Sequence, residues 1–247
     1  MIQLRPAPIR AEGNSLLALL SSTAYDALMP YCETVDLTAR EVLYEPLQSI
    51  GYVHFPTSGV LSIVKDLSGG GTVEVMTVGR EGMSGMPIIL GGDSTPSRCF
   101  VQIAGSARRI PANIFRALDP VRSEIHGVLG LYTQGALNQI AQGVVCNQMH
   151  SVEQRCARWL LATRDRAGVD EFALTHEFLA FMLGVRRASV SDVEAVLRSR
   201  GLIQSSRGRV RIIDASGLEA ASCECYRSVR NEFERLLGLA ALAPLQA

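Results

Sequence analysis

Residues Leu174–Ile213 read LTHEFLAFMLGVRRASVSDVEAVLRSRGLIQSSRGRVRII. Thr175 has a hydroxyl that can cap free backbone N–H groups, and Glu177 places a negative charge in the first turn, where the helix dipole favours it. Phe178, Leu179, Met182 and Leu183 follow at helical spacing and form one apolar face. Gly184 stops that helix because glycine reaches a left-handed backbone without steric cost, and Val185 plugs the corner. A second helix starts near Arg186. Val190, Val193 and Leu197 lie on its inner face, while Arg187, Ala188, Ser191, Asp192 and Ala195 project from the outer one. Ser199-Arg200-Gly201 closes it. Leu202-Ile203 and Val210–Ile213 then read as strands joined across Ser205-Ser206-Arg207-Gly208, with Arg207, Arg209 and Arg211 along the hairpin. Two helices about a tight turn followed by a basic hairpin make a winged helix-turn-helix. In such a module an Arg on the outer helix can bond a guanine edge in the major groove, and the hairpin arginines can meet phosphates of double-stranded DNA.

Charge supports that placement. The chain has formal net charge +0, which hides a polarity between its parts. From His150 to Arg211 there are eleven arginines against seven acidic residues, whereas Met1 to Met149 carries ten basic against twelve acidic. The basic excess sits where the helix-turn-helix does, as an electrostatic footprint for nucleic acid requires.

The runs VEQRCARWLL, LTHEFLAFMLGVRRASV, GLI, SRGRVRIID and GLEAASCECYR, between about Val152 and Leu237, closely resemble the DNA-binding domain of bacterial Crp/Fnr-type transcription regulators. The resemblance implies a homodimer that reads a palindromic operator, in the cytoplasm, with RNA polymerase as a further partner. It also implies a DNA-contacting set of Thr175, His176, Arg186, Arg187, Ala188, Ser189, Ser191, Asp192, Arg207 and Arg209. In the family's cyclic-AMP-responsive members the reading helix carries an Arg-Glu pair and a later Arg. Here those positions are Arg187, Ala188 and Asp192, so the operator differs. Ser189 is expected on a phosphate, and Asp192 either accepts from a cytosine amino group or orients Arg187.

Upstream, from roughly Asp36 to Pro111, short alternating runs such as Val60-Leu61-Ser62-Ile63-Val64 and Thr72-Val73-Glu74-Val75-Met76 are separated by turn signals at Thr57-Ser58-Gly59, Ser68-Gly69-Gly70-Gly71 and Gly91-Gly92-Asp93. They predict an antiparallel barrel or sandwich. YVHFPTSGVLSIV and VGREGMSGMPIILGG resemble strips of the double-stranded β-helix (jelly roll) of cyclic-nucleotide-binding domains. The family's phosphate cassette needs a short helix N-terminus, a Glu for the ribose hydroxyls and an Arg for the phosphate. Gly79, Gly82 and Gly85 fit it, but Met86 stands where the Glu belongs, and the Arg position falls on Ser97 or Arg98. A thioether cannot hold a ribose hydroxyl, which speaks against cyclic AMP. The effector-pocket candidates are therefore Arg80, Gly82, Gly85, Met86, Ser97 and Arg98, for an unknown small molecule, whereas Glu81 reads as hairpin decoration.

Between barrel and reader, Asp119 caps and Pro120 starts a helix reaching about Asn147. Val121, Ile125, Val128, Tyr132, Ala136, Ile140 and Val144 recur every three or four residues, a stripe long enough to predict a dimer seam along Ile125, Val128, Tyr132, Ala136 and Ile140. The fold expected is thus α+β. Residues 1–118 form the sensor barrel, 119–148 the dimerisation helix and 149–247 the winged helix-turn-helix domain. Short helices are expected at Leu16–Leu20 and Tyr25–Met29, and one helix from about Gly217 to Leu239.

Cys32, Cys99, Cys146, Cys156, Cys223 and Cys225 lack a CxxC pair and read as reduced thiols. Cys223 and Cys225, two apart on the expected helix, would point to different faces. Cys146 with Cys156 is the pairing a thiol redox sensor near the hinge would use. His54, His126, His150 and His176 form no metal-spaced motif, so no metal ligands are assigned and no cofactor is identified. No phosphate loop, nucleophile elbow or His-Glu metal helix is present, so an enzyme is not expected. Neither is a membrane span, nor a leader in the polar, proline-bearing MIQLRPAPIRAEGN. The alternative to a DNA-binding regulator is a ligand or thiol redox sensor that signals through protein contacts with little DNA binding.

Overall fold

The structure, a computed structural model, describes residues 13–118 and 122–238. The helix cap and start expected at Asp119-Pro120-Val121, the opening twelve residues and Leu239 lie outside the described residues.

The chain begins with two short helices, α1 (Ser15–Ala18) and α2 (Ser22–Leu28), capped by the side chains of Asn14 and Ser21. Strands β1 (Glu33–Leu37), β2 (Val42–Tyr44), β3 (Tyr52–Asp66) and β4 (Thr72–Val78) follow, then helix α3 (Met86–Ile89), strand β5 (Arg98–Pro111) and helix α4 (Ala112–Ala117). All pairings in this sheet are antiparallel. β5 pairs with β1, β2 and β3, and β3 pairs with β4. The long strands β3 and β5 lose register between Pro56 and Leu61, where the sheet bends over itself. Gly59 and Gly105 make that crossing possible. A Cβ on Gly105 would lie 2.4 Å from the Ser58 carbonyl oxygen, and Gly59 adopts φ +78° with its Cβ position 2.5 Å from the Ile103 oxygen. The folded sheet is filled by Val53, Phe55, Leu61, Val78, Met83, Cys99, Val101 and Ile110, all fully buried.

Helix α5 (Arg122–Met149) lies along this barrel. Its expected seam residues are spent inside the chain: Ile125, Val128, Tyr132 and Ala136 are buried against the barrel core and Ile140 packs on it partly buried. The Tyr132 hydroxyl donates to the Met83 carbonyl at 3.0 Å. Gly135 lies under the Phe233 ring, with its Cβ position 2.9 Å from the ring edge. A different row faces outward. Gly127, Gly130, Gln134, Leu137, Ala141, Val144 and Gln148 are all exposed and alternate at intervals of three and four. Periodicity identified an apolar stripe but not which surface it covers; the barrel takes it first because it is continuous with that core.

Helix α6 (Val152–Ala167) starts with a reciprocal capping box between Ser151 and Gln154 and ends at Gly168 in the left-handed region. Then come β6 (Glu171–Ala173), α7 (His176–Leu183), α8 (Arg187–Ser199), β7 (Ile203–Ser206), β8 (Arg209–Ile212), α9 (Ala215–Ala221) and α10 (Cys225–Leu237). The sheet order is β6-β8-β7, antiparallel throughout. Trp159, Leu160, Leu161, Phe172, Leu179, Leu183, Val190, Leu197, Ile203, Val210, Ile212 and Leu218 form its core.

This second unit docks on the barrel. Phe178 meets Phe100 edge-on at 6.3 Å, Trp159 Nε1 donates to the Glu74 carboxylate at 2.7 Å, and Arg166 pairs with Glu81 at 2.8 Å. Glu81 is thus not hairpin decoration: it and Arg166 are almost completely buried, and Arg166 also donates to Gln139 of α5 at 3.2 Å. The single helix expected from Gly217 to Leu239 is instead two, broken at Ser222-Cys223-Glu224, which lets α10 fold back onto α5. Among the described residues no helix is long and apolar enough to cross a membrane.

Candidate nucleic-acid interface

The helix-turn-helix is set by local chemistry. Thr175 Oγ1 accepts from the Phe178 N–H at 3.2 Å and opens α7, and Gly184 closes it at φ +63°. Val185 N–H donates to the Ala180 carbonyl at 3.0 Å across the corner, and Arg186 caps α8 with its side chain in solvent. Val190 and Leu197 are fully buried and Val193 half-buried, so α8 rests on the core along one stripe. Arg187, Ala188 and Asp192 stand exposed on the opposite face, with Ser189 and Ser191 half-buried beside them.

Four of the predicted DNA-contacting side chains, Thr175, His176, Ser191 and Arg209, already have internal partners. His176 Nε2 bonds Glu194, its Nδ1 lies 3.0 Å from Ser191 Oγ, and Ser205 Oγ donates to the other Glu194 oxygen. Glu194, which the pattern of the sequence did not single out, therefore pins α7, α8 and the wing together. Ser191 spends its hydroxyl on this network, and Thr175 spends its on the cap.

The wing is tighter than expected. β7 continues to Ser206, so the turn is only Arg207-Gly208, both with positive φ (48° and 74°), the mirror-image turn that matches strand twist. Arg209 and Arg211 alternate with buried Val210 and Ile212, so they share one face. Both bond Glu171 of β6, Arg209 at 2.6 Å. Those two bonds hold the Glu171 carboxyl below its usual range. Between α8 and the wing runs an open groove lined by Arg187, Arg198, Arg207 and Arg209, together with Thr175 and His176. Arg198 joins from the helix face; its spacing from Arg187 and Glu194 was the available signal.

Residues of the expected effector cassette are engaged within the chain. Arg98 pairs with Asp66 at 2.9 Å, and the Arg80 carbonyl accepts from Ser15. Gly82 has its Cβ position 2.6 Å from the Tyr132 hydroxyl, so that ring fills the space. Gly85 caps α3 at φ +80°, Met86 packs on the barrel core, and Ser97 is buried.

The cysteines depart most from expectation. Cys146 lies beside Cys223, with sulfurs 3.5 Å apart, and not beside Cys156, which is buried in the reader core. Because α9 and α10 are separate helices, Cys223 and Cys225 converge. Their sulfurs, Cys146 Sγ and a His150 ring nitrogen all lie within 4.8 Å of one another. The contact with Cys223 lowers the Cys146 thiol, while the same contact and burial push Cys223 up.

Residues 154–221 match the Crp-like helix-turn-helix domain family. No curated protein sequence matches the chain. Solved structures do. One titled as a putative transcriptional regulator of the Crp/Fnr family from Eubacterium rectale is 18% identical, covering 82% of this chain and 94% of that one, with TM-score 0.63. A transcriptional regulator of the CRP family from Thermus thermophilus is 20% identical, covering 76% and 96%, with TM-score 0.64. The c-di-GMP-responsive global regulator CLP of Xanthomonas campestris is 16% identical, covering 78% and 99%, with TM-score 0.62. Residues 154–221 of this chain are therefore a Crp-like helix-turn-helix domain, carried on the overall fold of the Crp/Fnr-type transcription regulators.

Proposed function

We propose that the chain is a sequence-specific DNA-binding transcription regulator that acts as a homodimer on a palindromic operator and is not controlled by cyclic AMP. The observation that carries this reading is the groove between α8 and the wing, where four arginines surround an outer helix face of small and polar residues. Arg187 reads a guanine edge, while Arg198, Arg207 and Arg209 hold phosphates. Arg186, Ala188, Ser189 and Asp192 complete the surface presented to the groove. The dimer forms along the outward row Gly127, Gly130, Gln134, Leu137, Ala141, Val144 and Gln148, whose 3-4 spacing is that of a two-helix seam and whose small residues allow close approach. Met86, the Tyr132 ring over Gly82 and the Arg98–Asp66 pair support independence from cyclic AMP. Cytoplasmic action beside RNA polymerase follows from the same reading.

Selection of random duplex DNA by the reduced full-length protein at near-physiological salt tests it. An enriched palindrome with half-sites about one helical turn apart is expected. Arg187→Ala then removes preference at one base position, whereas Arg209→Ala weakens all sequences alike and lowers the salt slope by about one. A sequence-blind loss in Arg187→Ala refutes the base-reading role, and no enrichment with any thiol state favours the sensor that signals through protein contacts.

A further inference from the structure

The chain spaces two pairs of ligand-type residues far apart in sequence. Cys146, in the last turn of α5, and His150, just past its end, stand four apart, the separation that puts two side chains on one helix face, and the His150 N–H still donates to the Cys146 carbonyl. Cys223 and Cys225 bracket Glu224 in the break before α10. The fold brings the two pairs together. Cys146 Sγ and Cys223 Sγ are 3.5 Å apart, and Cys225 Sγ and His150 Nδ1 are 3.5 Å apart. A tetrahedral ion with Zn–S of about 2.3 Å and Zn–N of about 2.0 Å requires ligand edges of about 3.8 Å for S···S and about 3.5 Å for S···N. These two distances lie close to those edges, and all four ligand atoms lie within 4.8 Å of one another. A polynuclear iron–sulfur cluster, by contrast, spreads its thiolates over several irons and needs them farther apart.

The surroundings match a metal centre too. His150 turns Nδ1 toward the sulfurs and directs Nε2 at the Glu224 carboxylate, 3.1 Å away, the outer carboxylate–histidine pairing that fixes ring orientation at metal sites. Gln142 donates to Cys225 Sγ at 3.0 Å. Three thiolates, a neutral imidazole and a divalent ion leave one net negative charge. Arg155 and Arg158 supply opposite charge at this place: both act electrostatically on Cys146, and both have a buried Nε without a hydrogen-bond partner. The three sulfurs form a separate buried cluster, excluded from both main cores. Such a group gains little from packing alone, which argues that its chemistry and not its volume is used.

We propose that Cys146, His150, Cys223 and Cys225 bind one zinc-class divalent ion, which clamps the α5–α6 hinge to the start of α10. His150 lies in the two-residue junction between α5 and α6, so the ion ties the end of the seam helix to the root of the reader. Binding displaces the thiol protons and links folding of the hinge to the metal. Any consequence for DNA affinity rests on the regulator reading above; the ion itself does not.

Full-length protein purified reduced from zinc-replete culture is expected to hold one zinc per chain. After chelation it takes up one Co²⁺ per chain, with thiolate-to-cobalt charge-transfer bands and the intense visible bands of a tetrahedral site. Cys225→Ser and His150→Ala lower Co²⁺ affinity by more than 100-fold, Glu224→Gln by about 10-fold, and the remote Cys32→Ser leaves it unchanged. If a ligand variant does not fold, the wild-type cobalt spectrum still decides. Wild-type protein without stoichiometric zinc and without cobalt bands overturns the proposal. So does more than one iron per chain with acid-labile sulfide. DNA selection that fails while one zinc is retained defeats the regulator reading and leaves the site standing.

Discussion

Glu74 carries a charge problem that pH can expose. Its carboxylate on β4 accepts from Ser62 Oγ and from Trp159 Nε1 at the junction of barrel and reader. Burial, the largest influence, pushes its pKa from 4.5 up to about 7. The folded protein therefore holds a proton there between pH 4.5 and about 7 that the unfolded chain has released. With more protons bound in the folded state, stability falls as pH rises through that window. At 1.36 kcal/mol per unit the full loss is at most about 3 kcal/mol, and less because part of Glu74 meets solvent. Glu74→Gln keeps an acceptor for Trp159 and removes the titration. Urea unfolding of both proteins from pH 4 to pH 8.5 is expected to give equal stability at the acid end and a variant advantage that grows to 1–3 kcal/mol, on the order of the linkage estimate, above pH 7. The difference between the curves is diagnostic, because His54 pulls the raw curve the other way. A difference independent of pH, or one favouring wild type as pH rises, refutes the assignment of a buried neutral carboxyl.

Burial lowers His54 from 6.5 to about 4, with its Nδ1 3.1 Å from Ser84 Oγ, so the folded state excludes a proton that the unfolded chain takes up. Its contribution, up to about 3 kcal/mol, is complete above pH 6.5 and lost as pH falls to 4; His54→Gln should flatten acid unfolding over that range. Arg166→Met, which strands the buried Glu81 charge, should cost about 3–5 kcal/mol in chemical unfolding, while Glu81→Gln with Arg166→Met should recover most of it; equal losses in single and double variants would mean the pair is packing, not charge. Glu171→Gln releases Arg209 and Arg211 from their shared carboxylate, so non-specific DNA binding should tighten and its salt slope steepen by about one in fluorescence titrations at several salt concentrations.

What the sequence made legible was local. Thr175, Gly184 and the Arg207-Gly208 turn act within a few residues of themselves, so the helix-turn-helix could be placed from pattern alone. The wing strands were underestimated only because Gln204, Ser205 and Ser206 are polar, and a strand with one wet face tolerates that. Helix α5 shows the limit of periodicity. It carries two rows, Ile125-Val128-Tyr132-Ala136 and Gly127-Gly130-Leu137-Val144, and the larger side chains drew attention to the row that the chain's own barrel covers. Glu81 was misplaced because its partner is 85 residues away, and a carboxylate with no visible partner is assigned to solvent. The thiol cluster was hidden for the same reason, with 77 residues between Cys146 and Cys223, and by the reading of one continuous helix where Ser222–Glu224 interrupts two.

These nonlocal contacts share one recipient. Trp159 and Arg166, the reader's polar links to Glu74 and Glu81, are both on α6, and His150 lies two residues before that helix. In the proposed regulator, α6 thus senses barrel and hinge at once. It spans 16 residues and its inner face is shared with the core under α8, so a rotation of α6 carries the reading helix with it. Each link is worth only a few kcal/mol, yet 1.4 kcal/mol already changes an equilibrium tenfold, so an input that weakens one link can shift the reader between orientations without unfolding anything. Glu74 ties α6 to the barrel through Trp159, whereas an ion at the cysteine cluster would hold the start of α6 in place. If two inputs along one rigid element are coupled, a double-mutant cycle between Glu74→Gln and Cys225→Ser, read out as DNA affinity at pH 8, should show non-additivity of at least about 0.5 kcal/mol. Strict additivity would mean that α6 does not transmit between them.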